Sequence, residues 1–298
     1  MCRERASDFA QCIRLRPEEQ PAFRVAFGPR IRRHGAPTPR RRDQPAGCFG
    51  PFGLPAKMRA MGQEHVSVAE HLAEASERIE KAASRAGRRV EDVTLIVVSK
   101  TFPAALIREA YAAGARHFGE NRVQEWDAKR PEVADLDAVW HLIGHLQSNK
   151  AARAATLFHS VDSVDSLELA RRLDRARAAV AHPERLRVLI EVRLDAAPTK
   201  SGVGEEDLDA LAEAVLALPH LELRGLMGVP PPMGDPQRVR PAFRRLRELR
   251  DRVAKRTGAA LPVLSMGMSH DFEVAIEEGS TEVRLGTAIF GDRPKKLT

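Results

Sequence analysis

Lys100 stands where an amine can do covalent chemistry. It follows the apolar run Leu95-Ile96-Val97-Val98 through Ser99 and precedes Thr101-Phe102-Pro103. The run is short, β-branched and bounded, which predicts a fully buried strand of a parallel sheet. Pro103 suits the first turn of a helix, where its missing N–H would have no partner anyway. The carboxyl end of a strand opening into a helix is where α/β folds gather their chemistry. A partly desolvated amine there, near other cations, loses its proton more readily and can attack a carbonyl carbon. Lys150 and Lys200 are the competing amines, but neither directly follows a buried run, and solvated lysines are the ordinary case.

The elements that would position this lysine repeat along the chain. Ser67 with Glu70 forms a capping-box pattern, and Val68, Leu72, Ala75 and Ile79 recur at helical spacing until Gly87. Strands are then expected at 93–98, 115–119, 139–143, 157–161, 187–194, 222–227, 261–266 and 282–286, separated by amphipathic helical stretches. Eight strand-helix units in the remaining chain match a (β/α)8 barrel of about 250 residues. A doubly wound open sheet is the runner-up, weakened because no Gly-x-Gly-x-x-Gly follows the first strand. The expected organisation is an α/β protein with a single (β/α)8 barrel over 63–298, preceded by a basic extension over 1–62.

Polar residues and glycines cluster at the strand ends, all of which face one rim in such a barrel. Glu120 and Asn121 follow strand 2, Gly144, His145 and Gln147 follow strand 3, Asp162 follows strand 4 and Met227 belongs to strand 6. Ser265-Met266-Gly267-Met268-Ser269 and Gly286-Thr287 close strands 7 and 8. Glycines allow close backbone approach, the hydroxyls donate, and Ser269 is expected at a helix amino terminus, which favours an anion. Phosphate sites after strands 7 and 8 recur in these barrels. Gly and Ser are also ordinary turn residues, so this loop alone is weak. Together with an imine-competent lysine across the mouth, it points to one compact molecule bearing an aldehyde and a phosphate. Pyridoxal 5′-phosphate meets that description.

The stretches VSKTFP (98–103), HFGEN (117–121), WHLIGHLQSNK (140–150), SVDS (160–163), GLMGVPP (225–231), LSMGMSHDFEVAI (264–276) and VRLGTAIFG (283–291) resemble the pyridoxal phosphate homeostasis protein family. The match runs in order from about residue 65 to 293. The resemblance implies a barrel like the amino-terminal domain of alanine racemase, with the cofactor held as an aldimine on the VSKT lysine, here Lys100. It implies further contacts on Asn121, the Ser265–Ser269 loop, Arg284, Gly286 and Thr287, with Arg284 near the pyridine nitrogen or the phosphate. The full cofactor-binding set expected is Lys100, Asn121, His141, Ser265, Met266, Gly267, Ser269, Arg284, Gly286 and Thr287, with no catalytic residue. A cationic partner would keep the ring nitrogen unprotonated and weaken the ring as an electron sink. Met227, Met266 and Met268 are expected to pack, or to wall the ring. His141 and His145 span a strand end without an evident acid cluster, so no metal site is expected. Around 198–202 the family usually carries an acidic residue before the lysine, and Ala196 and Ala197 stand here instead.

Composition adds bounds. Residues 1–57 hold twelve basic against five acidic residues, which accounts for the whole formal charge of +7, and they also contain all three cysteines, Cys2, Cys12 and Cys48. Rich in Pro and Arg and without apolar period, this segment is expected to be disordered, with translation expected to start at Met58 or Met61. Its five acids count against a targeting presequence. The Arg40-Arg41-Arg42 cluster lacks the interleaved aromatics of a nucleic-acid site. The barrel segment has no cysteine, so it holds neither a disulfide framework nor a thiol nucleophile.

An amino-acid racemase on this barrel needs a second acid-base group opposite the lysine. In the racemases that the chain resembles, it is a tyrosine, supplied by an additional β domain of the partner chain. The sole tyrosine here, Tyr111, falls in the first barrel helix. The expectation is therefore a cytoplasmic, non-catalytic carrier for vitamin B6 homeostasis, a monomer or weak dimer without membrane contact. Apo forms of pyridoxal phosphate enzymes are its candidate recipients. A weakly active racemase-like enzyme is the alternative; a cofactor-free aldolase-like barrel and a nucleic-acid binder through the tail rank below it.

Overall fold

The computed structural model describes residues 67–180, 184–194, 201–231 and 233–291. The expected disorder of the extension over 1–62, the arginine cluster and Lys200 lie outside the described residues. Eight parallel strands close on themselves in sequence order: β1 (Thr94–Val98), β2 (His117–Glu120), β3 (Val139–Leu142), β4 (Ser160–Val164), β5 (Leu186–Val192), β6 (Leu221–Gly228), β7 (Val263–Met268) and β8 (Glu282–Leu285). Closure is made by β1 against β8, with Ile96 beside Arg284 and Val97 beside Leu285. The (β/α)8 expectation is met.

The helices are α1 (Val68–Arg85), α2 (Ala104–Ala112), α3 (Val123–Lys129), α4 (Ala151–Leu157), α5 (Leu167–Ala179), α6 (Leu208–Leu216), α7 (Arg240–Thr257), α8 (Phe272–Glu277) and α9 (Thr287–Phe290). The capping box at α1 forms as its sequence requires: Glu70 N–H donates to Ser67 Oγ at 3.2 Å and Ser67 N–H to Glu70 Oε2 at 2.8 Å. This satisfies amide donors that no helical carbonyl reaches. Pro103 caps α2 rather than entering it.

The apolar core lies between strands and helices. Val97, Phe118, Leu142, Val161, Leu264 and Leu285 belong to it, with Trp126 stacked on Trp140 at 3.8 Å between ring centroids. Strand residues of the opposite parity turn to the barrel axis, as the two-residue period demands. Ile96 and Val98 are buried apart from the outer core, and a Cβ on Gly119 would touch Ile96 and Ile143 at 3.0 Å, so these share the inner face. The β4 strand sits three residues later than its sequence suggests, because Leu157 completes α4 and Phe158 caps it.

Candidate functional site

Lys100 occupies the turn between β1 and α2 and is half-buried. The residue after it, Thr101, has a φ of 68°, left-handed and costly for a β-branched side chain. Both neighbours of Lys100 are gripped. Lys129 Nζ donates to the Ser99 carbonyl at 3.0 Å and to Glu120 Oε1 at 2.8 Å, and Ser99 Oγ donates to the same Glu120 oxygen at 2.7 Å. Thr101 N–H donates to Glu125 Oε1, which lies 3.5 Å from Lys129 Nζ. Glu120 is fully buried; burial pushes its carboxyl up, against the pull of Lys129.

On β8, the strand beside β1, Arg284 is 4% exposed. Its Nη1 donates to Ser265 Oγ at 2.7 Å and its Nη2 to the Gly228 carbonyl at 3.0 Å. Burial lowers its pKa from the ordinary arginine value, against the opposing pull of Asp162, Glu282, Glu191 and Asp271. Gly267 has a φ of 94°, and a Cβ there would come within 2.6 Å of Ala275 Cβ, so glycine is required where β7 turns back on α8. Ser269 does not open a helix: α8 begins at Phe272 after Asp271, whose Oδ1 accepts from Met268 N–H at 2.6 Å. Ser269 Oγ instead accepts from Ala288 N–H at 3.2 Å, joining the last two loops. Met266 points into the apolar core, the first of the two expectations for it, which leaves only its main chain for a ligand at the rim.

His141 lies inside the barrel, 5% exposed and two residues before Ile143 at the mouth. Its Nδ1 is 3.0 Å from Asp162 Oδ2 and its Nε2 is 3.1 Å from His117 Nδ1. Burial works against its charge, yet Asp162 and Glu282 outweigh burial and raise its pKa. His117 moves oppositely, to about 4, through burial and the charge of His141. His141 thus bridges Asp162 and His117 through its two ring nitrogens. Glu282, pushed up to about 7 by burial and by Asp162, completes the cluster. The acids missing from the sequence reading thus do converge: single donor atoms of His141, Asp162 and Glu282 lie within 4.8 Å of one another.

A cavity of about 500 Å³ opens on the β3, β5, β6 and β7 side of the mouth, lined among others by Gly144, His145, Glu191, Arg193, Ser201 and Met268. Lys100 is not among its lining residues. The cavity adjoins the predicted set through Gly144, whose missing Cβ would fall 2.8 Å from Asn121 Cα. Asn121 and Gly286 are half-buried at the rim and Thr287 is exposed at the start of α9.

The chain matches the family model for the alanine racemase N-terminal domain over residues 56–294. It is 49% identical over 227 residues to a pyridoxal phosphate homeostasis protein of Pseudomonas aeruginosa, covering 76% of this chain and 96% of that one. A relative of the same name in Aquifex aeolicus is 46% identical over 228 residues, covering 76% and 99%. The chain belongs to the pyridoxal phosphate homeostasis protein family. Among solved structures, PipY of Synechococcus elongatus with PLP bound superposes with a TM-score of 0.67 at 39% identity, covering 76% of this chain and all of that one. An alanine racemase of Corynebacterium glutamicum, 20% identical with a TM-score of 0.56 and covering 77% and 63%, shares the fold.

Within this homeostasis-family barrel the structure gathers most of the predicted residues at one end, but sets His141 deeper and turns Met266 outward. Sequence reasoning missed His117 and Glu282 of the interior cluster and Glu191 of the cavity lining. The signal was present as polar residues two apart in otherwise apolar strands, Ser160 with Asp162 and Glu282 with Arg284.

Proposed function

We propose that this protein binds pyridoxal 5′-phosphate for vitamin B6 homeostasis, attaching its aldehyde carbon through Lys100 and releasing it without turning over a substrate. One observation carries the reading: the lysine of the VSKT motif lies at the carboxyl end of β1, in a turn held before it by the buried Lys129 and Glu120 and after it by the half-buried Glu125. The residues present fit the group. Lys100 offers the amine, the Gly267 turn and the Ser269 and Thr287 hydroxyls offer donors for a phosphate, and Arg284 offers a fixed cation beneath them. When bound, the cofactor supplies an electrophilic aldehyde and an electron-accepting ring. Arg284, held by Ser265 and Gly228, would keep a ring nitrogen beside it free of a proton.

The non-catalytic part is supported by the place of Tyr111. It lies in α2 on the outside of the barrel, stacked beneath Arg116 at 4.2 Å, remote from any role opposite Lys100. Among the described residues no helix is long and apolar enough to cross a membrane.

The test is borohydride reduction of the protein loaded with pyridoxal 5′-phosphate, followed by peptide mapping. The expected product is a pyridoxyl group on Lys100, absent from Lys100→Ala. Attachment to another lysine, or none, refutes the reading. Exchange of an amino acid's α-hydrogen with deuterated solvent at enzymatic rates would refute the non-catalytic part.

A further inference from the structure

We infer that Lys129 is a positioning residue for Lys100, acting through the main chain on either side of it. The inference extends the proposed attachment at Lys100 and names what aims the amine. Lys129 closes α3 and is 9% exposed, with its ammonium directed beneath the β1–α2 turn. It makes three contacts there: the Ser99 carbonyl at 3.0 Å, Glu120 Oε1 at 2.8 Å and Glu125 Oε1 at 3.5 Å. Each partner holds a different part of the turn. Ser99 is the residue before Lys100, Glu120 takes the Ser99 hydroxyl at 2.7 Å, and Glu125 takes the amide of Thr101, the residue after it.

The grip matters because the turn would not keep this shape unaided. Thr101 at a φ of 68° is in a region that β-branched residues avoid, so surrounding contacts must hold it. Without the Lys129 ammonium, Glu120 is left as a buried charge with one oxygen already lacking a partner among the described residues, and Glu125 loses its neighbour. The turn then relaxes toward an ordinary φ, and Lys100 turns with it. Lys129 touches no predicted ligand atom; its effect passes through Ser99 and Thr101.

The experiment compares wild type, Lys129→Met and the double variant Lys129→Met/Glu120→Gln. The single variant leaves a buried unpaired carboxylate and is expected to lose stability, whereas the double variant removes both charges with similar shapes and regains it. Two readouts follow in the double variant. Competitive acetylation of the cofactor-free protein, scored by mass spectrometry, gives the reactivity of Lys100 relative to the exposed Lys81. That ratio is expected to move toward the value for a solvated lysine. Borohydride trapping of pyridoxal 5′-phosphate on Lys100 is expected to slow by on the order of tenfold to a hundredfold, as for a misplaced reacting group, while affinity for pyridoxine 5′-phosphate, which lacks the aldehyde, is retained. An unchanged Lys100-to-Lys81 ratio in a folded double variant overturns the inference, as does loss of pyridoxine 5′-phosphate affinity in step with trapping. A shifted ratio in a protein whose wild type never traps the cofactor on Lys100 upholds the positioning role and refutes the proposed function instead.

Discussion

The guanidinium of Arg284 donates to Ser265 Oγ at 2.7 Å, tying the last strand of the barrel to its neighbour from the inside as well as through main-chain pairing. With its second bond to Gly228 it spans β6, β7 and β8 from one buried point. The same group that faces the proposed ligand is therefore a structural clamp.

Arg284→Ala should destabilise the barrel by about 3–5 kcal/mol, because Ser265 and Gly228 lose a donor and the interior acids lose their compensating cation. Urea unfolding at neutral pH checks this. A loss below about 1 kcal/mol, in the range of an exposed pair, would show that the clamp contributes little.

The interior cluster sets two opposing slopes of stability with pH. His117 has a folded pKa of about 4, below the usual histidine range, so its contribution is present above about 6.5 and is lost as pH falls from there toward 4. Glu282 has a folded pKa of about 7, above the usual carboxylate range, so its contribution is present at low pH and is lost as pH rises from about 4.5 through 7. In wild type the two oppose each other, and the raised pKa of His141 adds to the slope of Glu282. His117→Gln should expose the second slope, with stability rising as pH falls from 7 to 4.5, and Glu282→Gln the first, with stability falling from 6.5 to 4. Each is worth up to about 3 kcal/mol. Chemical denaturation at half-unit pH steps checks both, and parallel curves for all three proteins contradict the assignment.

Gly267→Ala should cost on the order of 1–3 kcal/mol, since its left-handed φ strains any side chain and a Cβ meets Ala275 at 2.6 Å. It should also weaken binding of pyridoxine 5′-phosphate, because the β7 turn carries the proposed phosphate donors. Calorimetric titration of the folded variant separates the two effects. Unaltered affinity would move the phosphate site elsewhere on the rim.

Trp126→Ala should cost about 3–5 kcal/mol, the ordinary range for a large buried aromatic. Trp126 is 1% exposed, stacks on Trp140 and donates from Nε1 to the Leu157 carbonyl at 3.3 Å. Both tryptophans of the chain are buried, so their emission should shift to the red on unfolding and report these transitions.

Much of this architecture is legible in the residues. Apolar β-branched runs punctuated by capped helices specify parallel strands, and seven of the eight strands lie within a few residues of expectation. β4 shifted because the apolar pair Leu157-Phe158 reads equally well as strand or helix end, and only packing decides. Lys100 stands out because it directly follows a buried apolar run, whereas Asn121 and the closing loops stand out only through the family motifs, since glycine and serine at strand ends are by themselves ordinary turn residues. Less legible were features that depend on three-dimensional convergence. Lys129 looks like a routine lysine ending a helix, yet it is buried by a turn thirty residues away in sequence. Ser269 reads as a helix cap because Ser269 and Asp271 are both cap-competent and lie two residues apart, and Asp271 takes the place.

The seam between β1 and β8 joins strands far apart along the chain, and α1 lies across it, with His71 Nδ1 3.0 Å from the Ile289 carbonyl and Arg78 paired to Glu273 at 3.0 Å. Tension applied between Ser67 and Gly291 would load that seam in shear, with α1 as the latch that must peel first. The barrel should consequently resist pulling through those two points in a single high-force rupture rather than unravel strand by strand.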